Sequence, residues 1–393
     1  MDILFYSYES SFETPLTSIF SSLGLTLHFE KVSFEEKGTC SGETVQKIGN
    51  RILDQRETGN PFLFVFSINF FPAISEICEK LNTIYVSWTV DNPVMELFTN
   101  SIKNSHNRIF MFDKAQYQRL NKYNPANIFH LPLGADSEIF DNAISSISEK
   151  DRATFSHDIC FVGSLYEKSS GLYSLKLDDF TNGYIDGLIN SQLMVYGYNF
   201  LEETLSKKVI EAVKGSAIDN SPKDFVESID AYTVSQFLVS KKLAEVERHH
   251  LLNELGKRFS VDLYTNSDTS RLTNVFFHPP IGNYTDVPKV YNLSKINLNF
   301  TLRSIEKGLP LRIFEVLASG GFLISNYQEE IPELFEIGEE IEIFTCEEEL
   351  YDKCEYYLSH EEERKAIAKK GYEKIKSCHT LQSRIKQIIS NIY

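Results

Sequence analysis

The sequence predicts an α/β protein built from two doubly wound halves, on three observations. Short apolar strands alternate with helical stretches along nearly the whole chain, the pattern that produces parallel sheets covered by helices. The run at 62–68 is continuously apolar, as expected of a parallel strand buried on both faces. At 393 residues the chain exceeds one ordinary core, so two domains are expected.

The first domain is read over 1–140. It opens with a strand at 2–6 and a loop of small polar residues at 7–14. Pro15 then starts a helix reaching about residue 23, since proline at a helix start forfeits no hydrogen bond. A strand at 26–33 and a helix at 43–57 precede the apolar strand. Helix 72–81, strands 84–90 and 108–112, helix 114–122 and strand 127–131 complete the half. Residues 141–157, dense in Ser, Glu and Lys, read as the linker.

The second domain is read over 158–378. Its first strand, 158–162, leads into the turn Gly163-Ser164-Leu-Tyr-Glu-Lys168, at the sheet edge where ligands bind in open α/β folds. Residues of about 170–260 read as a helical insertion. Strands at 261–265, 274–277, 296–300, 321–325 and 341–344, with helices at 286–293 and 311–319, resume the alternation. Helices at 347–357 and 361–375 lead to a last one at 380–392.

Composition narrows the function classes. Hydrophobic residues make up 42% and charged residues 24%, a globular balance. A net charge of −16 argues against nucleic-acid partners and against a polybasic membrane anchor. No apolar run approaches a membrane span, and the chain opens directly on a strand, so a cytoplasmic location is expected. The six cysteines, at 40, 78, 160, 346, 354 and 378, form no Cys-x-x-Cys and read as free thiols of a reducing compartment. Dinucleotide, P-loop and Gly-x-Ser-x-Gly motifs are absent. His249-His250 reads as a solvated pair and His278, before Pro279-Pro280, as a structural residue. The acidic run 329–349 reads as surface.

Two places carry candidate chemistry. In 291–331 a strand, a loop, a helix and a Gly turn follow one another, with Arg312 and Glu315 near the helix start. Unpaired N–H groups there suit a diphosphate, the Arg fork adds donors for the same oxygens, and a glutamate one turn in can accept from a ribose diol. The same charges could equally be solvated ends of an ordinary crossover helix. In 84–93 a strand ends in Trp88-Thr-Val-Asp91-Asn92-Pro93, so Trp88 either stacks on a sugar or belongs to the core. Asp91 either acts on a hydroxyl or caps the next helix. Asn69, after the strand 62–68, shares that sheet edge.

A longer resemblance favours the functional readings. Arg312-x-Phe-Glu315-x-x-Ala-Ser-Gly-Gly, then Glu-Leu-Phe at 333–335, Gly338-Glu339, Glu363-Arg364 and His379-Thr380, resembles the C-terminal half of GT-B glycosyltransferases of the spore-maturation (CgeB-like) group. Trp88 to Pro93 and Leu131-Pro-Leu-Gly134 resemble the domain that usually precedes it. The resemblance implies two Rossmann-like domains facing a cleft, the last helix crossing back to the first. It implies transfer of a sugar from a nucleotide sugar, a UDP-sugar foremost, to a hydroxyl of a glycan or protein acceptor. Donor-side residues would be Gly163, Ser164, Lys168, Gly282, Asn299, Thr301, Arg312 and Glu315. Asn69, Trp88 and Asn92 would lie on the acceptor side, with Asp91 as base and Arg312 as stabiliser of the leaving diphosphate. No metal and no cofactor beyond the donor is expected. Retaining enzymes of the largest such group hold two glutamates with seven residues between them. Here eight residues separate Glu306 from Glu315, which leaves stereochemistry open. A non-catalytic nucleotide-binding protein and a sugar-nucleotide epimerase are the alternatives.

Overall fold

In the first of two sheets the strand order is β2-β1-β3-β4-β5-β6, all parallel. Its strands are β1 (Asp2–Ser7), β2 (Thr26–Lys31), β3 (Val65–Ile68), β4 (Tyr85–Trp88), β5 (Asn107–Met111) and β6 (Ile128–His130). The second sheet runs β12-β11-β10-β7-β8-β9, again all parallel. It comprises β7 (Ile159–Val162), β8 (Val261–Tyr264), β9 (Phe276–His278), β10 (Ile296–Asn299), β11 (Leu323–Asn326) and β12 (Glu342–Phe344). The structure is a computed structural model describing residues 1–33, 41–216 and 224–392, so the expectation for Cys40 lies outside the described residues.

Two compact units result. One contains 1–133, 221–228 and 381–393, and the other contains 134–220 and 229–380. The boundary thus falls at 133/134 rather than 140. The stretch 141–157 is not irregular linker: it holds most of the helix Ser137–Ser145 and all of Glu149–Phe155. Its polarity misled because Asp136 and a Ser148–Asp151 capping box satisfy the helix starts with the same residue types that make loops. The final helix, Leu381–Ser390, belongs to the first unit and packs on Glu13–Ser22.

Apolar rings build the first core. Phe66 lies 5.2 Å from Phe5 and 5.1 Å from Phe20, all fully buried. Each such ring contributes about 1.5–3 kcal/mol by leaving water. In the second unit Phe161, Leu263, Leu298, Phe300 and Ile324 form the equivalent core. The insertion has a core of its own, from Ile185, Ile189, Val209, Val213, Val239 and Leu243. Its last helical run includes a π-helical stretch, Thr233–Val239, leading into Ser240–Gly256. Between its helices the chain visits the first unit: Phe225 bridges Thr99, and Glu227 meets Arg119 at 2.7 Å and Lys122 at 3.1 Å.

The strand orders locate the sites. In the second sheet β7 is the first strand, and the order reverses between β7 and β10. In the first sheet the reversal lies between β1 and β3. Such switch points open a crevice beyond the strand carboxyl ends.

Candidate functional site

The second unit assembles its site at the β7/β10 reversal. Helix Leu311–Ala318 follows β10 through the loop 300–310, and no side chain caps its start. Ile313 N–H turns back to the Pro310 carbonyl at 3.1 Å, which leaves the Leu311 and Arg312 N–H groups available to an anion. Arg312, in that first turn, is fixed from three sides. Its Nε donates to the Val162 carbonyl at 2.8 Å and its Nη1 to Asn299 Oδ1 at 3.0 Å. The guanidinium also lies over Phe161, 4.9 Å from the ring centroid. A Cβ on Gly163 would collide with that guanidinium, so glycine is what lets the fork sit against β7.

Glu315 sits one turn further on and is partly exposed. No described residue donates a hydrogen bond to its carboxyl. Burial pushes its pKa up to about 7, Arg312 opposing the shift. Tyr284 and Tyr291 lie close enough for the Glu315 charge to raise their hydroxyl pKa values further, after burial has raised them first. A half-open carboxyl with acceptor capacity to spare is suited to hydroxyl donors of a ligand.

The other donor-side expectations divide. Asn299 and Thr301 are buried at 0% and 2% exposure. Asn299 Nδ2 donates to Thr301 Oγ1 and Ser325 Oγ, both at 2.9 Å, and the Thr301 N–H donates to Asn326 Oδ1. They orient Arg312 and present no surface of their own. Gly163 N–H is likewise spent, on the Tyr264 carbonyl at 2.9 Å. Ser164 is exposed, its hydroxyl accepting from Tyr166 N–H. Lys168 is exposed too, with its charge felt by Asp268 rather than brought to Arg312. Gly282 is an exposed turn residue whose carbonyl accepts from the N–H groups of Asp286 and Val287. Glu306 is held by Gln236 Nε2 of the insertion at 2.9 Å. In the same loop Arg303 pairs with buried Glu247 at 2.6 Å, and its carbonyl accepts from Asn199. The insertion thus buttresses the loop that delivers the Arg312 helix.

At the β1/β3 reversal the first unit gathers different groups. Asn69, in the left-handed region at φ 59°, donates from Nδ2 to Asp91 at 2.7 Å. Its Oδ1 accepts from the Val90 and Asp91 N–H groups, which braces the loop carrying Asp91. Tyr8 joins them at 3.4 Å from Asn69 Nδ2, and Glu13 takes the Tyr8 N–H at 2.9 Å. Burial raises the Tyr8 hydroxyl pKa, with Asp91 and Glu13 adding to the rise. Asp91 is exposed and caps no helix. Trp88 is not a stacking face: it is 0% exposed, donates Nε1–H to the Leu131 carbonyl at 3.3 Å and packs edge-on against Phe12. Asn92 is buried and donates to Asp113, which caps helix Lys114–Leu120. Both belong to the scaffold because β4 is central and covered on both faces.

Residues 243–390 match the family model described as glycosyl transferase-like. By structure, the whole chain resembles a glycosyltransferase from Rickettsia africae ESF-5, with TM-score 0.60, 12% identity and coverage of 100% of this chain and 97% of that one. Anabaena Alr3699/HepE in complex with UDP and glucose gives 0.56 at 11% identity, covering 100% and 99%. Sucrose-phosphate synthase from Thermosynechococcus elongatus gives 0.54 at 10%, covering 99% and 98%. At such identities the likeness shows the fold, which is the two-sheet α/β architecture of GT-B glycosyltransferases. No curated protein matches by sequence.

The sequence reading missed one residue beside Arg312 in the second unit. Arg248 is buried, donates to the Ser164 and Phe300 carbonyls and lies 5.3 Å from the Phe161 ring that Arg312 also faces. Burial brings its pKa down to about 10, with Arg312 lowering it further. The signal was present: Arg248 lies three and four residues before Leu251 and Leu252, on the apolar stripe. His249 is not solvated either. It is 4% exposed, with Nδ1 on the Glu245 carbonyl at 2.8 Å, because this helix is buried nearly all round. In the acidic run, Glu342 is buried and held by Lys353 at 2.6 Å and Tyr357 at 2.8 Å.

Proposed function

We propose that the protein is a glycosyltransferase that moves a sugar from a UDP-sugar to a hydroxyl of a glycan or protein acceptor, without a metal ion in the reaction. The observation that carries this reading is the pairing, on one uncapped helix start at a switch point, of a rigidly held Arg312 with an unpartnered Glu315 carboxyl. The donor's diphosphate meets Arg312 and the helix N–H groups, and Arg248 below adds positive potential. Charge developing on the leaving diphosphate is stabilised by groups already in place, so little reorganisation is needed. Glu315 accepts from the ribose hydroxyls, and the backbone at 280–282 meets the base edge. Asp91, steadied by Asn69, takes the proton of the acceptor hydroxyl as the new glycosidic bond forms. The nucleoside diphosphate bound to Alr3699/HepE supports the choice of donor class.

A panel of nucleotide sugars, assayed for nucleoside diphosphate release with and without cell extract as acceptor, tests the reading. Release from a UDP-sugar that rises with acceptor and persists in EDTA is expected. No release from any donor in the panel, or activity lost in EDTA and restored by magnesium or manganese, would overturn it.

A further inference from the structure

Away from Arg312, on the β7/β8/β9 side of the second sheet, three potential metal ligands converge. Asp262 is in β8, His278 ends β9 and His157 lies just before β7. His278 Nε2 is 2.7 Å from Asp262 Oδ1, and His157 Nδ1 is 3.1 Å from the same oxygen. All three donor atoms lie within 4.8 Å of one another. The strand register explains the meeting: Asp262 and Tyr264 share one face of β8, and Tyr264 pairs with His278 across the ladder.

Both imidazoles are held in place by Tyr264. Its ring stacks on His278 at 4.6 Å and 20°, and its hydroxyl is 2.9 Å from His157 Nε2. A ligating histidine ordinarily has its other ring nitrogen anchored as that of His157 is here, which fixes the tautomer and aims the lone pair, while stacking holds the His278 ring. With Tyr264 accepting from His157 Nε2–H, Nδ1 presents its lone pair toward Asp262 and His278. Metal–ligand bonds of about 2.0–2.1 Å put tetrahedral donors about 3.3 Å apart, so small shifts complete the geometry.

We propose that His157, Asp262 and His278 bind one divalent transition-metal ion, zinc by donor type, with water as the fourth ligand. Two imidazoles and a carboxylate are the set that zinc takes in three-ligand sites, and neither magnesium nor calcium favours it. His278 is one-third exposed and gives the ion its way in. The ion pins the start of the turn 278–282 to the sheet. It plays no part in the sugar-transfer step, and the site stands whether or not the chain is a transferase.

The test uses the full chain, purified without a metal-affinity tag, stripped with chelator and titrated with zinc chloride by calorimetry. Cobalt(II) absorption reports the ligand geometry. One zinc per chain is expected, with a higher thermal midpoint and a tetrahedral cobalt spectrum. Asp262→Asn and His278→Gln should each weaken zinc binding by tenfold or more. His278 lies partly at the surface, so its variant carries the test if Asp262→Asn fails to fold. Absence of stoichiometric zinc binding, or affinity unchanged in the folded variants, would overturn the site and leave a hydrogen-bonded His–Asp–His knot.

Discussion

The two switch points share a backbone plan and differ in charge. At β7/β10 two guanidiniums approach one phenyl ring, and among the described residues neither pairs with a carboxylate and none donates a hydrogen bond to the carboxyl nearby. At β1/β3 the groups are Tyr8, Glu13, Asn69 and Asp91, and no cation joins them in the described contacts. On the proposed reading, one crevice holds an anion and the other accepts from hydroxyls. Equivalent topology fixes where a ligand goes, while a few side chains at the strand ends decide which ligand it is.

The sharpest way to break this comparison is at Asp91. If it takes the acceptor proton, Asp91→Asn keeps the Asn69 brace but removes the base, and turnover should fall about 10²–10⁴-fold. Nucleotide affinity, measured by calorimetry on the same variant, should stay as it was. A wild-type rate would return Asp91 to a structural role. Next in size is Arg312→Lys. The point charge cannot reproduce two directed bonds, to Val162 and Asn299, and still face a diphosphate. Losing charge-assisted bonds on the scale of about 1.5–3 kcal/mol predicts turnover down roughly 10–150-fold with the fold intact by circular dichroism. Unimpaired turnover would mean that the fork does not touch the donor. Glu315→Ala should cost nucleoside diphosphate binding about 1.5–3 kcal/mol. Unchanged affinity in a folded variant would remove the ribose contact.

Much of this was legible beforehand, for identifiable reasons. Parallel strands buried on both faces announce themselves as apolar runs, and two edge strands, β2 and β9, were legible from the alternation around them although they are only partly buried. The place of Arg312 and Glu315 at a helix start after a strand was legible from the alternation of apolar runs and the Gly turn. What stayed hidden depends on tertiary contact. Trp88 and Asn92 look functional at a strand end, but the neighbours of β4 bury them. Asn299 and Thr301 sit at the expected height on the sheet, yet they act through Arg312. The apolar stripe marks Arg248 as buried but not what it meets, and the His157–Asp262–His278 knot comes together across spans that no local motif joins.

The smallest expected effect concerns the proton on Glu315. An unfolded glutamate titrates near 4.3, while burial holds Glu315 at about 7 in the fold. Between those values the folded protein binds the proton more firmly than the unfolded chain, so stability declines as pH rises through the window and the cost is complete above it. Glu315→Gln removes the ionisable group and with it that cost. The variant should match wild type in urea unfolding near pH 4 and exceed it at pH 8 by on the order of 1–2 kcal/mol, a value kept modest because water reaches part of the side chain. A nucleotide whose hydroxyls donate to the ionised carboxyl should draw that proton off. Calorimetry at pH 6 in buffers of different ionisation enthalpy should then show greater proton release on binding for wild type than for Glu315→Gln. Equal release would mean that Glu315 keeps its proton beside the ligand, and that the carboxyl of this crevice is no more a hydroxyl acceptor than its counterpart is an anion site.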